Sequence, residues 1–175
     1  MLNIIMAAIL WLQPTVPSKT VKLYATTIKE ASEFYRVDPL LVVAIIHRET
    51  GGSWDRRTQS KTRDYGLMQI RVVGDSNALF QGKEYLLFDP SINIWRGTYL
   101  LYKFREWHRE HCKPGHHAYW AHHMWGFRKP LSREPEERVK KVYNALLERE
   151  FIKRMEEPIS RLEPLTTRRM AWALY

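Results

Sequence analysis

Leu40-Leu41-Val42-Val43-Ala44-Ile45-Ile46 is an unbroken hydrocarbon run, and it constrains the fold of this chain more than any other segment. Asp38 ahead of it is a strong N-cap and Pro39 suits the first helical position, so a helix is predicted over Pro39–Thr50. A helix that is apolar on nearly every face has to be wrapped by other elements, which makes it the core of its domain. The run closes on His47-Arg48-Glu49 and gives way to Thr50-Gly51-Gly52. Glu49 therefore emerges where a core helix meets a glycine-bearing loop. Carboxylates are rarely buried, because desolvating the charge is costly. A carboxyl in such surroundings relieves the cost by keeping its proton, which is how a general acid is made available near neutral pH.

The rest of the chain is patterned to cover that helix. Val21, Tyr24, Ile28, Ala31 and Tyr35 recur at threes and fours, which predicts an amphipathic helix over Ser18–Arg36. Gly51–Tyr65 reads as a polar loop, and Gly66–Val73 as a short apolar segment in which a strand-like turn is left open. A loop over Gly74–Asp89 is expected to lead into a helix from Pro90 to about His111, with Ile94, Gly97, Leu101 and Phe104 on one face. Lys113-Pro114-Gly115 breaks that helix. A further helix is expected over His116–Phe127, then a Pro130–Pro135 spacer. A last helix is expected over Glu136–Met155, with Val139, Val142, Tyr143, Leu146 and Leu147 inward. The tail beyond Pro158 is basic and ends in Met170-Ala171-Trp172-Ala173-Leu174-Tyr175. A length of 175 residues suits one domain with a substantial core. With 45% hydrophobic and 27% charged residues, the composition is that of an ordinary globular protein, for which disorder is not the default. The expected class is mainly α, in a single domain over residues 19–157, with 158–175 as a basic tail.

Residues 1–18 are read separately. Leu2–Leu12 has the length of a signal h-region but lacks a basic n-region and a small-x-small cleavage site, and it is too short to span a bilayer. A signal or membrane-proximal anchor and an N-terminal core segment both stay open. Cys112 is the only cysteine, so no intrachain disulfide exists. The formal net charge of +9 favours polyanionic partners, whether wall polymers or nucleic acid.

Downstream of Glu49-Thr50, Ser60 lies six residues before Gly66-Leu67-Met68-Gln69-Ile70. Asp89-Pro90, Asn93-Ile94, Gly97 and Tyr99-Leu100 follow, and then Ala118-Tyr119. In this order the motifs resemble the soluble lytic transglycosylase (SLT) domain of the goose-type lysozyme-like superfamily, over roughly residues 23–150. The family pattern is a Glu-Ser pair closing a buried helix, a loop Ser, Gly-Leu-Met-Gln, an Asn-Ile-x-x-Gly helix, and Ala-Tyr-Asn. There are departures. Thr50 stands for the usual Ser, the stretch Ser53–Gln59 makes the loop longer than the family's, and Trp120 stands where the family has Asn.

The resemblance implies a lysozyme-like fold and cleavage of peptidoglycan between N-acetylmuramic acid and N-acetylglucosamine. Glu49 would protonate the leaving oxygen with help from the substrate's N-acetyl group, then act as base on the C6 hydroxyl to close a 1,6-anhydro ring. No cofactor is implied. Thr50, Ser60, Gly66, Met68, Gln69 and Tyr119 are carried over as substrate-binding positions, with Trp120 beside them. Gly66 would let the backbone approach a sugar, Gln69 would meet an N-acetyl or hydroxyl group, and Met68 would pack on the acetyl methyl. The alternative is a lysozyme-type hydrolase, for which Asp55, Asp64 or Asp75 would have to activate a water. Less favoured is a non-catalytic basic module that binds wall or nucleic acid; no nucleic-acid motif appears.

Trp54, Trp95, Trp107, Trp120 and Trp125 are candidate stacking surfaces, with Trp54 and Trp120 nearest the motifs. Arg56, Arg57, Lys61, Arg63 and Arg71 surround the expected cleft, within reach of substrate carboxylates. His108, His111, Cys112, His116, His117, His122 and His123 match no standard zinc spacing and are read as a titratable rim, with no metal. The expected partner is the peptidoglycan strand and not nucleic acid. Membrane proximity through the N-terminus and a secretion or phage assembly partner stay open. The expected location is extracytoplasmic, in the periplasm or wall, or by phage delivery.

Overall fold

The computed structural model describes residues 1–72, 75–113, 115, 117–125 and 133–156. The tail from Pro158, with Met170–Tyr175, lies outside them, as do His116, Gly126 and Phe127 and the side chains of Asp75 and Trp125. The chain divides into two compact units, Met1–Lys103 and Phe104–Tyr175.

In the first unit, helices α1 (Leu2–Leu12), α2 (Ser18–Tyr35) and α3 (Pro39–Glu49) pack on one another. Leu40 to Ile46 of α3 are all buried, as an all-round apolar helix requires. The Asp38 carboxylate accepts from Leu40 N at 2.8 Å and caps the helix. On α2, Val21, Tyr24, Ala25, Ile28 and Ala31 make the buried stripe, while Leu23 and Phe34 point outward. From α1, Ile5 and Ile9 are fully buried in the same core. No helix among the described residues is long and apolar enough to cross a membrane.

After α3 the chain makes an irregular loop and a small antiparallel pair, β1 (Asp64–Tyr65) and β2 (Ile70–Arg71), in register Asp64↔Arg71 and Tyr65↔Ile70. The segment expected as a loop over Gly74–Asp89 carries two 3₁₀ turns instead, Asp75–Phe80 and Glu84–Phe88, with Phe80 and Leu87 buried. Single turns of this kind are held by tertiary burial and leave too short a period to read. Helix α4 (Pro90–His111) then starts on Asp89, whose Oδ1 accepts from Ser91 N and Ile92 N at 2.9 and 3.0 Å. On one side of α4, Trp95, Tyr99 and Tyr102 make a half-exposed aromatic cluster with Phe34 and Tyr35 of α2.

In the second unit, the expected helix over His116–Phe127 is a 3₁₀ turn, Tyr119–Ala121, followed by the short α5 (His122–Trp125). Helix α6 (Glu134–Glu156) packs on that turn and buries Val139, Tyr143 and Leu146. It begins two residues earlier than expected, at Glu134. Proline is tolerated in a first turn, so Pro135 does not delay it, and Glu134, Glu136 and Glu137 suit the positive end of the helix dipole.

Candidate active site

Glu49 is the last residue of α3, and everything immediately after it turns the chain away. Thr50 is buried; its hydroxyl donates to Ile46 O at 2.8 Å and accepts from Trp54 N at 3.2 Å. Gly51 and Gly52 adopt φ of +59° and +82°, and Gly52 N donates to His47 O at 2.8 Å, a glycine-built helix end. The Glu49 side chain is left 14% exposed, at the mouth of the core, with its carboxylate paired to the half-buried Arg48 guanidinium.

The Thr50 hydroxyl is thus engaged with the chain on both sides, as donor to Ile46 O and acceptor from Trp54 N. Trp54 also departs from expectation. It is 3% exposed, stacks on Tyr24 with ring centroids 6.3 Å apart, and donates from Nε1 to His47 Nδ1 at 3.4 Å. It is a core residue, not a cleft platform. His47 went unnoticed in the sequence. Burial pushes its pKa down, and a neutral ring is what an Nδ1 acceptor requires.

The loop organises itself around Asp64. Ser60 donates to Asp64 Oδ2 at 2.6 Å and accepts from the amides of Asp64 and Thr62; Thr62 Oγ1 donates to the same carboxylate. Arg71 closes the network, with Nε at 2.7 Å from Oδ1 and NH2 at 3.2 Å from Oδ2. Burial alone would raise the Asp64 carboxyl. The hydrogen bonds from Arg71, Ser60 and Thr62, with the Arg71 charge, outweigh it and hold the group below the usual carboxylate value. Asp55 is a turn former, accepting from Arg57 N at 2.9 Å. Of the residues proposed to activate water, two thus have structural work, and the side chain of Asp75 is not described.

Gly66-Leu67-Met68-Gln69 is clamped from α4. Asn93, fully buried, accepts from Met68 N at 2.7 Å and donates to Tyr65 O and Leu87 O at 2.8 and 2.9 Å. A Cβ on Gly66 would stand 2.2 Å from Asn93 Nδ2 and 2.3 Å from Leu87 O, and φ there is +76°. Asparagine and backbone thus already require a glycine here. Met68 is fully buried against Gly97, so its expected contact with substrate gives way to a core role. Gln69 sits at φ +46° and donates from Nε2 to Thr58 O at 3.0 Å and Gly66 O at 2.8 Å, tying the loop to the motif.

Of the basic residues around the loop, Arg56 and Arg57 line an open groove with Tyr85, Leu86, Phe88 and Asp89, whereas Arg71 is committed to Asp64. Glu49 is not among the groove's lining residues. Tyr119 and Trp120 belong to the second unit. Tyr119 is buried, and Trp120 packs edge-on between Tyr119 and Tyr143 at 5.5 and 6.0 Å. The Glu136 carboxylate accepts from Ala118 N at 2.8 Å and fixes this turn to α6. Nor are the histidines a uniform rim: His122 is wholly buried.

No curated protein and no solved structure matches the chain. The family model described as "Transglycosylase SLT domain" matches residues 26–119, which is more than half of the chain and takes in α3, the loop, the Gly-Leu-Met-Gln segment, α4 and Tyr119. A mainly helical chain whose glutamate ends its most buried helix, and whose Gly-Leu-Met-Gln segment is locked onto an Asn-Ile-x-x-Gly helix, belongs to the SLT transglycosylase family.

Proposed function

We propose that this protein is a peptidoglycan lytic transglycosylase with Glu49 as its only acid and base. The observation that carries the reading is the position of Glu49: it ends the helix whose Leu40–Ile46 run is buried, its side chain is 14% exposed, and it lies within the family match. Cleavage begins when the glycan brings its β-1,4 oxygen to the carboxyl. Arg48 holds that carboxylate before substrate arrives; the entering sugar takes the place of Arg48, and the carboxylate, freed of its partner, takes up a proton from solvent. Glu49 delivers a proton to the departing oxygen while the N-acetyl group shields the oxocarbenium-like carbon. The carboxylate left behind draws the proton from the C6 hydroxyl of N-acetylmuramic acid, whose oxygen attacks C1 and closes the 1,6-anhydro ring. No water is consumed.

Hydrolysis would need a second carboxylate to activate water. Asp64 bound to Arg71, Ser60 and Thr62 is a poor base, and Asp55 is tied to its turn, which favours the lyase reading. Arg56 and Arg57, exposed along their groove, suit the carboxylates of peptide stems. The enzyme acts outside the cytoplasm, brought there by its own N-terminus, a secretion system or a phage particle.

Mass spectrometry of muropeptides released from purified peptidoglycan tests this. The wild type should release products one water lighter than hydrolytic ones, and Glu49→Gln should release none. Reducing-end products would make it a lysozyme; no products from a folded wild type would leave a binding module.

A further inference from the structure

His108 lies in the last turn of α4 and Cys112 directly follows the helix, its N–H donating to His108 O at 2.9 Å, so the two stand one turn apart on the same side. The helix breaks there, and His117 and His122 follow on either side of the Tyr119–Ala121 turn. The break is why no standard ligand spacing shows in the sequence. In space, one nitrogen or sulfur from each of the four residues lies within 4.8 Å of the others. His117 Nε2 and His122 Nε2 are 3.0 Å apart, and they stand 3.7 and 3.8 Å from Cys112 Sγ. Around a tetrahedral zinc with Zn–N of about 2.0–2.1 Å and Zn–S of about 2.3 Å, ligand atoms stand about 3.3–3.6 Å apart. The cluster is within a few tenths of an ångström of that geometry at these three separations.

We propose that His108, Cys112, His117 and His122 form a closed, four-coordinate zinc site. The donor set of three imidazoles and a thiolate suits Zn²⁺, and a site with four protein ligands has no open position for catalysis. His108 Nε2 lies 2.9 Å from His117 O; a proton on that nitrogen leaves Nδ1 as the donor, the carbonyl-oriented arrangement common for metal-bound histidine. Trp107 and Phe104 rings stand 4.9 and 6.2 Å from the His122 ring and wall the site with apolar surface. The ion fastens the end of α4 to the turn that carries Tyr119 and Trp120, from the side opposite in sequence to the Glu136 anchor on Ala118. It is a structural ion, independent of the acid chemistry proposed for Glu49.

The test uses the full-length protein, stripped with a chelator and titrated with Zn²⁺ alone, then with Co²⁺ as a spectroscopic probe. One zinc per chain should be retained, the cobalt form should show a thiolate charge-transfer band, and zinc should slow alkylation of Cys112. In Cys112→Ser the band should vanish, and zinc affinity should fall by more than the about 10–100-fold that loss of an outer-shell partner costs. His117→Gln, at a half-buried position, should weaken zinc likewise, and supplies the comparison if Cys112→Ser misfolds. Zinc well below one equivalent in the wild type would overturn the proposal and leave a hydrogen-bonded imidazole cluster. Undiminished binding in both variants would overturn it equally. Muropeptide release by Glu49→Gln does not enter either reading, so the two proposals stand or fall apart.

Discussion

Met68 and Gly97 are in contact across the first unit: a Cβ on Gly97 would fall 2.3 Å from Met68 Sδ and 2.8 Å from both its Cβ and its Cε. Because the whole thioether side chain is affected, no rotation of its tip relieves the clash. Gly97→Ala should therefore destabilise the protein by about 1–3 kcal/mol, the usual cost of overpacking. The gain in helix propensity of about 0.5–1 kcal/mol works against this and does not cancel it. Urea unfolding of Gly97→Ala, Met68→Ala and the double variant checks the contact. The double variant should lose less than the sum of the singles, and strict additivity would show that the two residues do not interact.

Asn93 uses its side chain three times, on Met68 N, Tyr65 O and Leu87 O, with nothing exposed. Asn93→Ala strands a buried amide and two carbonyls, at about 1–3 kcal/mol for each group left without a partner. Asn93→Asp should be worse, because it sets a carboxylate oxygen against two carbonyl oxygens. Denaturant midpoints should rank wild type above Asn93→Ala, and Asn93→Ala above Asn93→Asp. The reverse order of the two variants would mean that the donor bonds are not what the residue supplies.

Much of this was legible in the sequence where the signal is local. Asp38-Pro39 and the apolar run gave α3, the recurrence of Val21, Tyr24, Ile28 and Ala31 gave α2, and Asp89-Pro90 gave the start of α4. Illegible was the side to which short, irregular segments turn. Met68 and Trp54 sit between no periodic neighbours, so the motif resemblance for the one and nearness to the motifs for the other suggested a binding surface at residues the fold buries. Asn93 acts on Met68 from 25 positions away, and motif spacing records the residue without its partner. The four residues of the histidine–cysteine cluster converge across the end of α4, where helical periodicity stops, so no reading along the chain brings them together.

Two half-buried titrating groups shape the acid limb of stability. Burial lowers the His47 pKa in the folded state, so above the unfolded value of about 6.5 its contribution is fully present. It is lost as pH falls below that, because the unfolded chain takes up the proton more readily. Asp64, held below the usual carboxylate value, contributes above about pH 3.9 and loses its share only below it. Thermal unfolding across pH should show a first decline beginning near pH 6.5 and a second near pH 4. His47→Gln should flatten the first alone and Asp64→Asn the second alone. A profile unchanged by either substitution would show that other groups govern it.

Gln69 is either a sugar contact or the latch of the loop, and the two roles separate experimentally. Its Nε2 bridges Thr58 O and Gly66 O, and Gly66 N also donates to Thr58 O at 2.8 Å, so two bonds hold the loop after Glu49 against the Gly-Leu-Met-Gln segment and a third, inside that segment, fixes the Gln69 side chain. Gln69→Ala removes two of them while keeping an L-residue at φ +46°. As a latch, Gln69 should then cost muropeptide release about ten-fold, equivalent to about 1.4 kcal/mol. Hydrogen exchange should accelerate at Gly66 and through residues 58–64, because the amides there lose their closed partner. A residue that only touched the sugar would raise KM and leave exchange untouched. Since the left-handed backbone at position 69 is itself strained, Gln69→Gly separates strain from side chain: it relieves the first, lacks the second, and should loosen the loop as much as Gln69→Ala does.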